Sequence, residues 1–177
     1  MLTFLAVVVA LLLALLLTNA IVFVVGMRAK TPWVLNAVRR FARALGNPFQ
    51  MRSAGTPGAY ASVVRHTGRT SGRVFETPVV PVATDGGFVI ALPYGSNTDW
   101  LKNVLASGSA TIVNAGHTYR VDQPEIIPIH AAAAYFPTAK EQRSLRFFRI
   151  DQCLRVQRVD LRVTPLEAAE RSAQMSR

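Results

Sequence analysis

Before Glu76 the chain contains no aspartate or glutamate, and its first 27 residues carry no charged side chain at all. The first absence leaves Arg28, Lys30, Arg39, Arg40, Arg43, Arg52, Arg65, Arg69 and Arg73 without a local counter-charge, so the first part of the domain presents a strongly positive surface. Cysteine is confined to Cys153, which excludes an internal disulfide, fits a reducing compartment and has the ordinary reading of a buried thiol without chemistry. The histidines His66, His117 and His130 are not at ligand spacing with one another or with Cys153, which argues against a metal site. No serine sits in a Gly-x-Ser-x-Gly elbow, no pair of carboxylates stands out, and no strand interleaves aromatic and basic residues as an RNA reader would. The composition therefore points away from hydrolytic catalysis and from nucleic-acid binding.

Most conspicuous among the features present is an apolar run from Leu2 to Met27, whose only polar side chains are Thr3, Thr18 and Asn19. At about 1.5 Å per residue such a helix reaches roughly 39 Å and outspans a hydrocarbon core of about 30 Å. A cleaved signal peptide is the rival reading, but it needs a basic n-region and a shorter apolar stretch. The run is therefore expected to be a single-pass anchor in the cell membrane. Basic residues flank only its C-terminal side, which places the N-terminus outside and the domain on the cytoplasmic face. Charge attraction of the juxtamembrane arginines to anionic lipid makes the bilayer itself a partner.

Beyond the anchor, the remainder of the chain is of one-domain size. Thr31-Pro32 has the form of a cap and first helical position, and Gly46 with Asn47-Pro48 has the form of a stop. Between them Val34, Val38, Phe41 and Leu45 make a stripe, as in a helix that lies on lipid headgroups or caps the domain. The expected organisation is an anchor over 1–27, a basic amphipathic helix over 28–50, a folded domain over 51–163 and a polar tail over 164–177. Met51–Ala59 reads as a linker. Strand signals occupy Tyr60–His66, Arg73–Val82, Phe88–Leu92, Ser109–Val113, His117–Asp122 and Leu154–Val163, with Glu125–Ile127 continuing the sheet. Asp85-Gly86-Gly87 and Asn114-Ala115-Gly116 supply hairpin turns. A phase slip in the last strand suggests a bulge there. Helices are expected over Asp99–Ala106 with Asn97 or Thr98 as cap and Gly108 beyond its end, over His130–Tyr135, and from Thr138 to Phe148. Short strands with a few helices and no βαβ alternation imply an α+β fold, a small antiparallel barrel with peripheral helices.

The loop Thr67-Gly68-Arg69-Thr70-Ser71-Gly72, followed by Arg73, combines glycines that free the backbone, three hydroxyls and two guanidiniums, a set suited to a phosphate. It lacks the spacing and lysine of a Walker loop. A plain hairpin loop of ordinary turn residues remains the alternative, and turn chemistry alone favours it. Thr77-Pro78-Val79-Val80-Pro81 carries two prolines in an apolar strand, which must be an edge or bulged; it either offers backbone groups to a flat ring or merely protects the edge. Leu92-Pro93-Tyr94-Gly95 leads into the helix that starts near Trp100 and could line a ligand pocket, although Trp100 is equally suited to core packing.

The order of these features, His66-Thr67-Gly68-Arg69-Thr70-Ser71-Gly72, Thr77-Pro78, a Gly-Gly hairpin and Trp100-Leu101-Lys102-Asn103-Val104-Leu105-Ala106, resembles the deazaflavin-dependent nitroreductase and quinone-reductase family of actinobacteria. The resemblance runs over residues 60–160. It implies a split β-barrel of the flavin-reductase or FMN-binding kind and use of the deazaflavin coenzyme F-420. It further implies that Arg69, Thr70, Ser71, Gly72 and Arg73, with Thr67 and Gly68 of the same loop, hold the phosphate and acidic tail; charge supports this independently, because such a ligand needs a basic groove, which Arg65, Arg69 and Arg73 could form. Thr77, Pro78 and Val79 and Leu92, Pro93, Tyr94 and Gly95 would flank the ring, and Tyr94, Trp100 and Tyr135 would shape the side of a quinone-like or nitro acceptor. No catalytic acid or base is expected, because hydride chemistry belongs to the cofactor. Two further readings stay open: a split barrel using FMN or haem, and a non-enzymatic binder of a flavin-like or lipidic ligand at the membrane.

Overall fold

The computed structural model of the chain describes residues 1–159. Residues 2–28 form α1 (Leu2–Arg28), exposed along nearly its whole length and buried only at Gly26 and Met27. Among the described residues it is the one helix long and apolar enough to cross a membrane, judged by length and composition. The chain then folds back. A Cβ on Gly26 would lie 2.4 Å from Val34 Cγ2, so the absence of a side chain there is what lets the next helix approach.

That helix departs from the expected stop at Gly46-Asn47-Pro48. Instead, α2 (Pro32–Phe41) passes through a π-helical segment, Ala42–Gly46, straight into α3 (Asn47–Met51). Pro48 lacks an N–H and its ring crowds the carbonyl four residues back; a turn widened to i→i+5 spacing accommodates both defects, so the helix carries on. The stripe is also broader than expected. Val34 and Leu35 bury against Met27, with Val38, Tyr94 and Phe148 packed around them. Trp33, Phe41, Leu45 and Phe49 stay 61–71% exposed. One half of the apolar sector thus caps the domain and the other half is bare.

Among the described residues, seven strands form one antiparallel sheet: β1 (Ser62–Thr67), β2 (Val74–Val79), β3 (Pro81–Thr84), β4 (Gly87–Ala91), β5 (Ser109–Asn114), β6 (His117–Pro128) and β7 (Gln152–Arg158), in the order β2-β1-β5-β6-β7-β4-β3. The two edge strands, β2 and β3, are separated in sequence by Val80 alone. A single residue cannot span a flat sheet of this width, so the sheet must curl until its ends meet, a half-barrel with helices around it. The two-proline segment is thus split into both edges of the sheet, where Pro78 and Pro81 cost no interior ladder bond.

The Asp85-Gly86 turn and the Asn114–His117 hairpin form as expected. Over its described residues β7 pairs without a slip as far as Arg158, and the register shift falls between Asp122 and Glu125 of β6, where Gln123 takes φ +49°; the expected slip after Val156 runs on into residues outside those described. An extra residue in β6 keeps Ile126 and Ile127 aligned with Leu154 and Cys153. Leu161, Val163 and the tail from Pro165 lie outside the described residues. The Met51–Ala59 linker is pinned to the hairpin, Gly55 N–H donating to Ala61 O at 2.7 Å and Gly116 N–H to Gly55 O at 2.6 Å.

The inner core joins Val64, Phe88, Ile90, Leu154 and Val156 from the sheet to Leu101 and Val104 of α4 (Asp99–Ser107), whose C-terminus ends on Gly108 at φ +69°. The alternate residues Val89 and Cys153 bury on the outer face under α5 (Ile129–Ala132), the 3₁₀ turn Ala133–Tyr135 and α6 (Ala139–Phe147). Strands covered on both faces explain the unbroken burial of Gly87–Ile90. Thr138 and Glu141 form a reciprocal capping box at the start of α6. Burial pushes the Cys153 thiol up to about 11, the inert state expected of it.

Candidate functional site

Residues Gly68–Arg73 link β1 to β2, which pair out to Thr67 and Val74. The loop closes on itself: Gly68 N–H donates to Arg73 O and Gly72 N–H to Gly68 O, both at 2.8 Å, with Gly72 at φ +66°. A Cβ on Gly68 would sit 2.6 Å from both the Phe75 ring and Ser71 Oγ, so any larger residue there must displace those side chains. What remains outward is the side chains of Thr70, Ser71 and Arg73, all exposed, and the N–H groups of Thr70 and Ser71, which make no hydrogen bond among the described residues. Arg73 forms no ion pair there either.

Beneath the loop runs a polar chain with a determined direction. Asn103 Oδ1 accepts from the Arg69 backbone N–H at 3.2 Å and from its guanidinium at 2.9 Å. Those two donors fix the amide, so its Nδ2 must face His66 Nδ1, 3.1 Å away, and donate to it. The His66 proton then belongs on Nε2, donating to Thr77 Oγ1 at 3.2 Å. His66 and Asn103 are both buried, and the Arg69 guanidinium also reaches Asp99 at 3.4 Å, which in turn pairs with Arg43 at 3.3 Å. A satisfied buried network of this kind holds its members in one arrangement. The exposed ends of the chain contribute little by themselves.

Burial lowers the His66 pKa from the ordinary histidine value. In the unfolded chain the imidazole titrates near about 6.5. The unfolded state therefore takes up its proton first on acidification. The stability that neutral His66 contributes is fully present above that pH and is lost as pH falls through it. The thermal midpoint of the full chain in detergent is expected to drop between about pH 7 and pH 5. In His66→Gln this pH dependence should flatten; an equally steep drop would assign the transition to another group.

Leu92–Thr98, the other segment expected to flank the ring, runs from the end of β4 to the N-cap of α4. Leu92 N–H donates to Gln152 O, and Gly95, at φ +70°, turns back with its N–H on Leu92 O at 2.9 Å. Two of the juxtamembrane cations are engaged here: Lys30 Nζ donates to Pro93 O at 3.2 Å and Arg39 to Tyr94 O at 2.6 Å. Burial lowers the Lys30 pKa, with Asp151 acting in opposition. The Tyr94 ring packs on the Met27–Val34–Leu35 cluster, and burial, then the phenol of Tyr60, raises its pKa. Thr98 takes the N-cap position of α4, yet its hydroxyl is buried and makes no hydrogen bond among the described residues.

The structure thus gathers Thr67–Arg73, Thr77 and the start of α4 into one connected unit, with Pro78 and Val79 continuing along the edge strand. It does not gather all three arginines of the expected groove as free cations. Arg65 Nε is held by Glu76 Oε1 at 2.6 Å and Arg69 by Asn103 and Asp99, which leaves Arg73 as the unpaired one. The three aromatic residues expected on the acceptor side fall into three separate clusters: Trp100 on the inner core, Tyr94 at the α1–α2 junction and Tyr135 on the outer face of the sheet. The sequence did not mark His66, Asn103, Asp99, Lys30 or Arg39 as site residues, although His66 and Asn103 stand within the motifs quoted above. The phase of His66 and Thr77 on one hairpin face was the available signal for the first; the rest depend on pairings 30 or more residues apart.

No family model matches the chain, and no curated protein matches it. Among solved structures, one described as an F420-H2 dependent reductase (FDR-A) is similar at 15% identity and a TM-score of 0.44, over 55% of this chain and 94% of that one. Another, described as a domain-swapped dimer, is similar at 14% identity and a TM-score of 0.45, over 55% of this chain and 80% of that one.

Proposed function

We propose that the chain is a membrane-anchored oxidoreductase that takes a hydride from the reduced deazaflavin coenzyme F-420 and delivers it to a quinone, nitro compound or other electron-poor acceptor. The observation that carries this reading is the Gly68–Arg73 loop, in which the exposed Thr70, Ser71 and Arg73 bring two hydroxyls, two N–H groups without a hydrogen bond and a guanidinium without an ion pair among the described residues, while the Asn103–His66 chain holds the loop through Arg69. Those donors fit a phosphate with a carboxylate tail. The Thr98 hydroxyl, buried without a partner among the described residues, adds a polar group.

Thr70, Ser71 and Arg73 would hold the anionic end of the coenzyme, with Arg69 contributing charge through its anchored guanidinium. Thr77 to Val79 and Leu92 to Gly95 would bracket the ring and keep water from it. When bound, the reduced deazaflavin supplies the hydride, and the protein supplies position and polarity. The bare row Trp33, Phe41, Leu45 and Phe49, which begins just beyond the foot of α1, supports an orientation in which the Tyr94 segment lies near the bilayer, where lipid-soluble acceptors are concentrated. In that orientation, and with the basic flank inside, the domain lies on the cytoplasmic face.

The test mixes the full chain in lipid nanodiscs with reduced coenzyme and follows its oxidation after a menaquinone analogue is added. Oxidation that depends on chain and acceptor is the expected result. Binding without oxidation across quinone and nitro acceptors would favour a non-enzymatic binder. Binding of FMN or haem in place of F-420 would reassign the cofactor.

A further inference from the structure

At the foot of α1, away from the coenzyme loop, an open cleft of about 630 Å³ is lined by Arg28, Arg143, Ser144, Arg146 and Phe147. Its floor is built. Arg28 is the last residue of α1, its guanidinium donates to Phe147 O at 2.6 Å, and it stands 5.5 Å from the centre of the Phe147 ring. Arg143 and Arg146 come from successive turns of α6; Arg143 Nε is occupied by Ala139 O at 3.3 Å, so its two terminal nitrogens stay available. No carboxylate lines the cleft, and none of its three arginines forms an ion pair among the described residues. The nearest acid on α6, Glu141, is turned to its own helix cap at Thr138. Three guanidiniums lining one cleft without a counter-charge among the described residues repel one another, and an anion with several acceptor oxygens relieves that repulsion.

We infer that this cleft binds the phosphate of an anionic phospholipid headgroup. The position of Arg28 selects the source of the phosphate. A residue at the end of a spanning helix lies at headgroup depth, where phosphodiesters are the abundant anions and basic clefts take anionic lipids. Phe147, half exposed beside the guanidiniums, offers an apolar surface to the glycerol and first acyl carbons. The inference rests on the reading of α1 as a membrane anchor; it is independent of the coenzyme.

The test uses the full chain released for native mass spectrometry from micelles holding equal amounts of phosphatidylglycerol and phosphatidylcholine. One retained phosphatidylglycerol is expected in preference to phosphatidylcholine. The double variant Arg143→Gln/Arg146→Gln should lower that preference roughly tenfold, while Arg143→Lys/Arg146→Lys keeps most of it. Equal retention of the two lipids, or a preference untouched by the glutamine pair, would overturn the inference. Inorganic phosphate that protects Arg146 from phenylglyoxal as well as phosphatidylglycerol does would assign the cleft to a soluble anion and overturn the lipid assignment. Separately, loss of the chain from membranes on alkaline extraction would overturn the anchor reading and the lipid assignment with it. Retention of the chain in membranes with no headgroup preference would overturn the cleft alone.

Discussion

Replacing Asn103 with leucine is expected to destabilise the domain by about 3 kcal/mol and to weaken coenzyme binding at least roughly tenfold. The side chain is nearly isosteric, so little packing is lost. What is lost is an acceptor for two Arg69 donors and the donor that satisfies His66 Nδ1. A buried polar group left without its partner costs about 1–3 kcal/mol, and here the Arg69 N–H and His66 are both stranded. Arg69 then keeps only its longer, exposed contacts with Asp99 as a tie to α4, so the donors at Thr70, Ser71 and Arg73 are held less firmly in one arrangement. Denaturant unfolding and coenzyme titration read the two effects. Asn103→Asp separates the Arg69 contact from the His66 contact. Its carboxylate still accepts from Arg69 but presents an acceptor to His66, which then gains by taking a proton. The His66 pKa rises, and the stability it contributes is now present at low pH and lost as pH climbs through the raised value, the reverse of the wild-type dependence. A pH profile unchanged in Asn103→Asp would show that the amide does not govern His66.

The second large effect lies at Gly87. A Cβ there would stand 2.0 Å from Val156 O, 2.9 Å from Gln157 Cα and 3.0 Å from Val156 C, all backbone atoms of the paired strand β7. No rotamer change relieves such a contact. Either β4 leaves β7 or the pair slips, and a slip by one residue would turn Phe88 and Ile90 out of the core. Gly87→Ala is therefore expected to cost about 3–5 kcal/mol, at the upper end of single substitutions. Gly86, next to it in the turn, meets nothing within 4 Å, so Gly86→Ala should stay within about 0.5 kcal/mol. Urea midpoints of the two variants in detergent give the comparison, and similar losses at both positions would contradict the close approach of β4 and β7.

Both sites show which features the sequence displays and which it conceals. Turn chemistry and helix caps are local, so the Asp85-Gly86 hairpin, the Asn114–His117 hairpin and α4 with its Gly108 terminus are visible in the residues themselves. The paired prolines marked an edge, and the fold turned out to place one on each edge of a sheet that must curl to let them meet. Hidden were the features that depend on distant partners. Nothing in the neighbourhood of Arg65 or Arg69 announces that each is already occupied, because Glu76 acts across a strand pair and Asn103 from a helix more than thirty residues on. The stop at Gly46-Asn47-Pro48 failed for a different reason: proline breaks an α-turn, but a π-turn supplies the room it needs. The stripe on α2 likewise showed that the helix was amphipathic without showing that its apolar sector serves two surfaces.

The functional reading rests on the Gly68–Arg73 loop binding the anionic end of a deazaflavin coenzyme. The most direct test compares the affinity of the full chain in nanodiscs for intact F-420 with its affinity for the same deazaflavin stripped of phosphate and glutamate tail, each measured on wild type and on Arg73→Ala. The expected result is that the intact coenzyme binds at least roughly tenfold tighter to wild type, and that Arg73→Ala removes most of that advantage while leaving the stripped ring unaffected. Equal affinity for the two ligands, or an advantage that survives Arg73→Ala, would contradict it.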